Sequence, residues 1–156
     1  MPKILNLQEA FSILPKIRKT KILSGGCFDI LHIGHIRFLQ EAKKTGDVLI
    51  ILLENDRKVH RLKGKSRPIF SQKERALVLS SLQPVDYVIN LPDMRSDRDY
   101  ERLILSIQPE VIAVTQHDPL IGEKKKQADM IHAKLKVVPH IKTYSTSSLA
   151  KMLGID

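Results

Sequence analysis

The chain is predicted to fold as a single three-layer α/β domain on a parallel sheet, and three observations predict it. Apolar runs of strand length alternate with helical periodicities along the sequence, the pattern of right-handed βαβ units. One run, Val48 to Leu53, reads Val-Leu-Ile-Ile-Leu-Leu without interruption, as a strand buried on both faces should. The length, 156 residues, suits one domain spanning residues 1–156 and leaves little room for a second.

In chain order, Asn6 to Lys19 places Leu7, Ala10, Phe11, Leu14 and Ile17 at helical spacing, with Pro15 as a kink or terminator, so residues 1–19 read as a helical extension. Lys21 to Ser24 is a short strand running into Gly25-Gly26. A helix follows through Ile36, Leu39 and Ala42, closed by Gly46, and Val48–Leu53 is the next strand. Arg57 to Arg67 is a basic connector ending at Pro68. Ser71 and Glu74 form a capping box for a helix through Ala76, Leu79 and Leu82. Val85–Ile89 is a strand, Tyr100–Ile107 a helix, Val111–Val114 a strand, Gly122–Leu135 a long polar helix and Lys136–Ile141 a fifth strand. A last short helix starts near Thr146. The architecture so assembled is Rossmann-like, without repeat, linker or low-complexity segment.

Composition narrows the function. Hydrophobic residues make up 42% and charged residues 28%, an ordinary globular balance. No apolar run approaches bilayer length, and the N-terminus lacks a signal-peptide core, so a membrane or secreted protein is not expected. Cys27, the single cysteine, fits a reducing cytoplasm and excludes thiolate metal clusters. Lys and Arg exceed Asp and Glu by 26 to 17, a formal charge of +9, which favours anionic partners. Only 4% of residues are aromatic and Trp is absent, poor equipment for stacking single-stranded nucleic acid. Phosphorylated small molecules are the expected partners, and no nucleic acid.

In parallel α/β sheets ligands bind beyond the carboxyl ends of the strands, which draws attention to the loop Gly25-Gly-Cys-Phe-Asp-Ile-Leu-His-Ile-Gly-His35. Its glycines let the backbone turn tightly and approach a ligand. His32 and His35 share one face if a helix begins there, and Gly34 removes a side chain where a phosphate could sit. The N–H groups and dipole of that helix start favour an anion at the same place. The alternative is a pair of capping or surface histidines. Gly64-Lys65-Ser66 imitates the end of a P-loop, but Val59 stands where a glycine is required. No base is paired with Cys27 to make it a nucleophile. His60, His132 and His140 carry no interpretable spacing.

The sequence resembles the nucleotidyltransferase superfamily of cytidylyl- and adenylyltransferases, whose signature stands here as His32-Ile33-Gly34-His35. From about Lys21 onward it is most similar to the nucleotidyltransferase domain of bifunctional ADP-heptose synthases. That resemblance is carried by the loop from Gly26 to His35, Arg61-Leu-Lys-Gly64 with Arg67-Pro68, Val85-Asp-Tyr-Val88 and Ser145-Thr146-Ser147. Glycerol-3-phosphate cytidylyltransferases and archaeal FAD synthetases are more distant.

The resemblance implies an enzyme in which a phosphate oxygen of the acceptor attacks the α-phosphorus of a nucleoside triphosphate, ATP or CTP, and pyrophosphate leaves. Such transfer depends on positioning and on stabilising spread negative charge. His32 and His35 would donate to the triphosphate, and Lys63 would clamp phosphates, with Arg67 a second candidate. Gly26, Cys27, Phe28 and Gly34 would face the nucleotide, Arg75 would help hold it, and Ser145, Thr146 and Ser147 would cap a helix and bind phosphate. Mg²⁺ is implied as charge partner of the triphosphate, held mostly by phosphate oxygens and water, with no protein metal ligand assigned.

Two stretches depart from that pattern. Thr115-Gln-His-Asp-Pro119 replaces Lys-Gly-Gly-Asp-Tyr, leaving only Asp118 in common, and His140 stands near the arginine that selects cytidine in the glycerol-phosphate enzymes. The sugar-kinase portion of the bifunctional proteins is missing from the sequence, so the expectation is a standalone transferase or a relative turned to another phosphorylated acceptor. The expectation is transfer of a nucleotidyl group, adenylyl by preference, to a phosphorylated sugar or similar small molecule. The alternatives are a cytidylyl- or flavin-type transferase, or a non-catalytic nucleotide or nucleic-acid binder. Members of the family are often dimers, which leaves a homodimer open.

Overall fold

The computed structural model describes residues 3–155. Six strands among them pair in parallel throughout: β1 (Ile4–Leu5), β2 (Lys21–Gly26), β3 (Val48–Leu53), β4 (Tyr87–Asn90), β5 (Val111–Thr115) and β6 (Lys134–Val138), in the spatial order β1-β4-β3-β2-β5-β6. The helices are α1 (Leu7–Ile13), α2 (Ile33–Lys43), α3 (Asp56–Lys63), α4 (Gln72–Ser80), α5 (Asp97–Ile107), α6 (Ile121–Met130) and α7 (Thr146–Met152). None is long and apolar enough to cross a membrane.

Strand order runs outward from β2 through β3 to β4, then returns to the other flank of β2 for β5. The crevice created by that reversal lies at the carboxyl ends of β2 and β5, where ligands of such sheets bind. The register Lys21↔Val48 through Gly26↔Leu53 brings the end of β2 level with the end of β3. All six residues of β3 are buried. Its side chains alternate between two cores, as the strand period demands. Leu49, Ile51 and Leu53 pack with Phe38 and Leu39 of α2 and Leu79 of α4. Val48, Ile50 and Leu52 pack with Ala10 and with Leu103 and Ile107 of α5. Ile112 and Val114 of β5 are covered by Ala128 of α6.

The expected three-layer parallel α/β fold is thus present, with differences in detail. Of the expected helical extension over residues 1–19, Met1 and Pro2 lie outside the described residues, and residues 3–19 hold more than a helix. Ile4 and Leu5 pair with Val88 and Ile89 as an edge strand, and Leu5 is fully buried. Two residues are too few to display an alternation, so their pattern is silent. The α-helix ends at Ile13 and continues as a 3₁₀ turn, Leu14–Lys16, because Pro15 has no N–H for the ladder. The basic connector begins with the helix α3. Asn55 caps it by accepting the Lys58 N–H at 2.8 Å, and His60, Arg61 and Lys63 sit in its last turn, where cations favour the dipole. Only Val59 is buried, so no apolar stripe marks it in the sequence. At its end Gly64 takes φ +106, a conformation that suits glycine. Towards the C-terminus, α6 stops at Met130, and β6 begins at Lys134 rather than Lys136.

Candidate active site

After Gly26 the chain leaves β2, turns through Cys27–Leu31 and enters α2. His32 is the N-cap of that helix, its Nδ1 accepting the Gly34 N–H at 3.1 Å. In return the His32 N–H donates to His35 Nδ1 at 3.3 Å, closing a capping box built from two imidazoles. The ring centroids lie 4.0 Å apart. With both Nδ1 atoms accepting backbone N–H groups, each neutral ring carries its proton on Nε2. Burial, aided by the neighbouring charge of His32, brings His35 down to about 4, and burial with the charge of His140 lowers His32. At neutral pH the pair is two uncharged rings, each with an Nε2–H left to donate.

That protonation state is testable. Between the ordinary histidine value near 6.5 and about 4, the unfolded chain binds a proton that folded His35 does not, so stability falls as pH drops through this window. Nitrogen-15 shifts at pH 7 should show the Nε2–H tautomer for both rings, and His35 should titrate at a higher pH once pyrophosphate is added. A free-protein midpoint near 6.5 would refute the buried, neutral assignment.

Packing gives Gly34 a further reason to lack a side chain. A Cβ there would meet the His32 ring at 2.7 and 2.8 Å and the Thr143 methyl at 3.1 Å, so the missing side chain makes room for an imidazole. Gly34→Ala should push His32 off its cap. We expect pyrophosphate-release turnover to drop at least tenfold while the unfolding free energy falls by about 1 kcal/mol, the value of one lost cap. Equal fractional losses of both would reduce the glycine to a folding requirement. Gly26 is comparable, since a Cβ would touch the Phe28 ring at 3.0 Å. Phe28 is buried, its ring centroid 5.5 Å from that of His35, and holds φ +45, a conformation its packing must maintain.

Two buried groups hold this loop. The Asp29 side chain is shut off from solvent; it pairs with Arg67 Nε at 2.6 Å and accepts the N–H groups of Ile69 and Phe70 at 2.9–3.1 Å. Burial alone would raise its pKa, but these bonds and the guanidinium charge bring it below the ordinary value. Arg67, expected as a phosphate clamp, is 3% exposed and engaged here. Arg75 is likewise buried. Its guanidinium donates to the carbonyls of Cys27, Phe70 and Glu54 and to the Asp56 carboxylate. Those bonds make it a positioning residue, tying the ends of β2 and β3 to α4, where contact with the nucleotide was expected.

Around this loop the structure gathers some of the expected residues. Lys63 is exposed at the end of α3. Burial pushes the Cys27 thiol up, and the charge of Lys63 acts against it, so the ammonium lies within electrostatic reach of the loop. The raised thiol is no nucleophile. Thr146 Oγ1 donates to the Ile30 carbonyl at 2.7 Å and tethers the start of α7 to the histidine loop. Ser145 caps α7 by accepting the Ser148 N–H at 3.1 Å, and Ser147 is exposed. Asp118 is taken up by the Leu120 N–H and by Lys124 at the start of α6.

The sequence pattern missed Asp29, although the Gly-Gly-x-Phe-Asp run contained it, and it missed His140. The exposed His140 ring lies 5.3 Å from that of His117, and its charge reaches His32. No spacing rule joins residues on separate loops. Among the described residues no group of three or more His, Cys, Asp or Glu could hold a metal ion.

Two imidazoles thus interlock at a helix start, beside the point where the connections of the parallel sheet reverse. Residues 23–152 match the family described as cytidylyltransferase-like, and the chain belongs to that family of nucleotidyltransferases. It is 41% identical over 132 residues to the bifunctional protein HldE of Wolinella succinogenes, covering 85% of this chain and 26% of that protein. With HldE of Helicobacter hepaticus the identity is 35% over 154 residues, covering 97% and 30%. The chain therefore spans under a third of these relatives. Among solved structures, the lipopolysaccharide core biosynthesis protein from Thermoplasma volcanium superposes with a TM-score of 0.63 at 29% identity, covering 81% of this chain and 99% of that one. Pantoate-beta-alanine ligase from Francisella tularensis shares the fold, with a TM-score of 0.66 at 17% identity over 92% of this chain and 69% of that one.

Proposed function

We propose that this protein transfers an adenylyl group from ATP, supplied with Mg²⁺, to a phosphorylated sugar and releases pyrophosphate. An oxygen of the acceptor phosphate forms the new bond to the α-phosphorus, and the α–β bridging bond breaks, its electron pair leaving with pyrophosphate. The observation that carries the reading is the imidazole pair, whose Nδ1 atoms are held by backbone N–H groups, so that Nε2–H remains the donor of each ring. His32 and His35 donate to phosphate oxygens as negative charge spreads, and Lys63 adds a mobile positive charge. Asp29, Arg67 and Arg75 keep the loop in place, and Ser145–Ser147 lie where the tethered start of α7 adds N–H groups for phosphate.

Adenylyl is preferred over cytidylyl because His140 stands near the position of the cytidine-selecting arginine. Mg²⁺ enters as part of the triphosphate substrate, held mostly by phosphate oxygens and water. The reaction is expected in the cytoplasm, and a homodimer is compatible with it. The deciding experiment crosses four nucleoside triphosphates with sugar phosphates, polyol phosphates and FMN, all with Mg²⁺, and reads pyrophosphate. ATP with a sugar phosphate should give the highest rate; a preference for CTP with glycerol 3-phosphate, or for ATP with FMN, would replace this reading.

A further inference from the structure

The carboxyl ends of β3 and β4 carry two acceptor oxygens that the fold buries and does not use. Glu54 follows β3 directly. Its N–H donates to the Gly26 carbonyl at 3.1 Å and its carbonyl accepts from Arg75 at 3.0 Å, so its backbone is pinned beside the root of the histidine loop. Its Oε1 accepts the Tyr100 hydroxyl at 2.8 Å, whereas Oε2 is buried with no hydrogen-bond partner among the described residues. Asn90 ends β4 as the register partner of Leu53, one residue before Glu54, and its Oδ1 is also buried and unpartnered. Gln72 Nε2 bridges the Leu53 and Leu91 carbonyls at 2.9 Å each, so the main chain here is satisfied while the two side chains are not. Buried acceptors without donors are uncommon and cluster where a function uses them.

The chemistry of these oxygens selects the ligand. A carboxylate and an amide carbonyl only accept hydrogen bonds, so they suit hydroxyl groups and repel phosphates. Burial raises the Glu54 pKa, and the Tyr100 bond with the charges of Lys58, Lys124 and Arg75 works against it. The donors for phosphate, His32, His35 and Lys63, lie on the loop and helix that flank the ends of β2 and β3.

We infer that Glu54 accepts hydrogen bonds from hydroxyl groups on the carbon skeleton of the acceptor, fixing a polyhydroxylated phosphate ester with its phosphate turned towards the histidines. This deepens the proposed nucleotidyl transfer and rests on it. A site built to pair a hydroxyl discriminates strongly against an analogue lacking it, because the buried oxygen is then left alone.

Glu54→Gln keeps the size of the side chain and an oxygen for Tyr100 but removes the second acceptor. Calorimetric titration of the full chain with a panel of hexose 1-phosphates, their monodeoxy analogues, inorganic phosphate and MgATP tests the assignment. The tightest sugar phosphate should bind Glu54→Gln roughly ten- to a hundredfold more weakly, the range for a hydrogen bond to a charged group. Affinities for inorganic phosphate and MgATP should be unchanged, and discrimination against one deoxy analogue should collapse. Removing a buried charge should leave the thermal midpoint unchanged or higher; if Glu54→Gln unfolds, the pair Glu54→Leu with Tyr100→Phe, which removes the carboxylate together with the hydroxyl that donates to it, provides the same readouts. Sugar phosphate binding wild type no more tightly than inorganic phosphate would overturn the subsite, as would loss of all affinities together. If MgATP binds and a sugar phosphate supports pyrophosphate release while both variants behave as wild type, the subsite alone falls. If wild type binds neither MgATP nor any sugar phosphate, the transfer reading falls and takes the subsite with it.

Discussion

Replacing His35 with alanine should lower pyrophosphate release by roughly two to three orders of magnitude, the loss that accompanies removal of one preorganised donor to a developing oxyanion. The fold should survive. His35 also accepts the His32 N–H at the helix start, but a lost cap costs about 1 kcal/mol against a total stability of about 5–15 kcal/mol. Chemistry therefore suffers far more than structure. Single-turnover release of pyrophosphate with saturating ATP and sugar phosphate, set beside a urea unfolding curve, separates the two. Turnover within a factor of a few of wild type would remove His35 from the transition state. A KM change for ATP with kcat intact would make the ring a binder and nothing more.

Asp29→Ala should destabilise the protein by about 3–5 kcal/mol, the usual consequence of deleting one member of a buried ion pair. The carboxylate is enclosed and holds Arg67 together with the N–H groups of Ile69 and Phe70, so the variant takes the buried carboxylate away from the guanidinium and leaves two amides without their acceptor. Against a total of about 5–15 kcal/mol this brings the chain near to unfolding. The pH dependence has a definite sign. The folded carboxyl titrates below its unfolded value near 3.9, so its stabilisation is full above that value and disappears as pH falls through the folded one. The urea-midpoint gap between wild type and variant should thus be widest near neutrality and narrow below about pH 4. A gap that is absent at pH 7 would show that the anchor contributes nothing.

The parts of this molecule that could be read from residue order are those whose cause is local. Val48–Leu53 announces a doubly buried strand because all six side chains need cover, and Ser71 with Glu74 announces a helix start because the capping box closes within one turn. The histidine pair was legible for the same reason, since its geometry spans four residues at a helix N-terminus. Helix α3 was hidden because one buried valine makes no stripe, and β1 because its partner, β4, lies more than eighty residues away. Arg75 illustrates the limit. As a helix residue its position was plain, but its contacts come from Cys27, Glu54, Asp56 and Phe70, on other segments.

From the sequence by itself came the alternation of strands and helices, the domain class and the imidazole–glycine–imidazole loop at a helix start, each a matter of periodicity or short-range hydrogen bonding. Only the tertiary structure decided that Asp29 and Arg67 neutralise each other in the interior, that Gly34 is bare to admit a ring, and that Glu54 keeps a buried oxygen unused. Burial and the pairing of distant charges depend on which segments the sheet brings side by side, and that is a property of the packed chain.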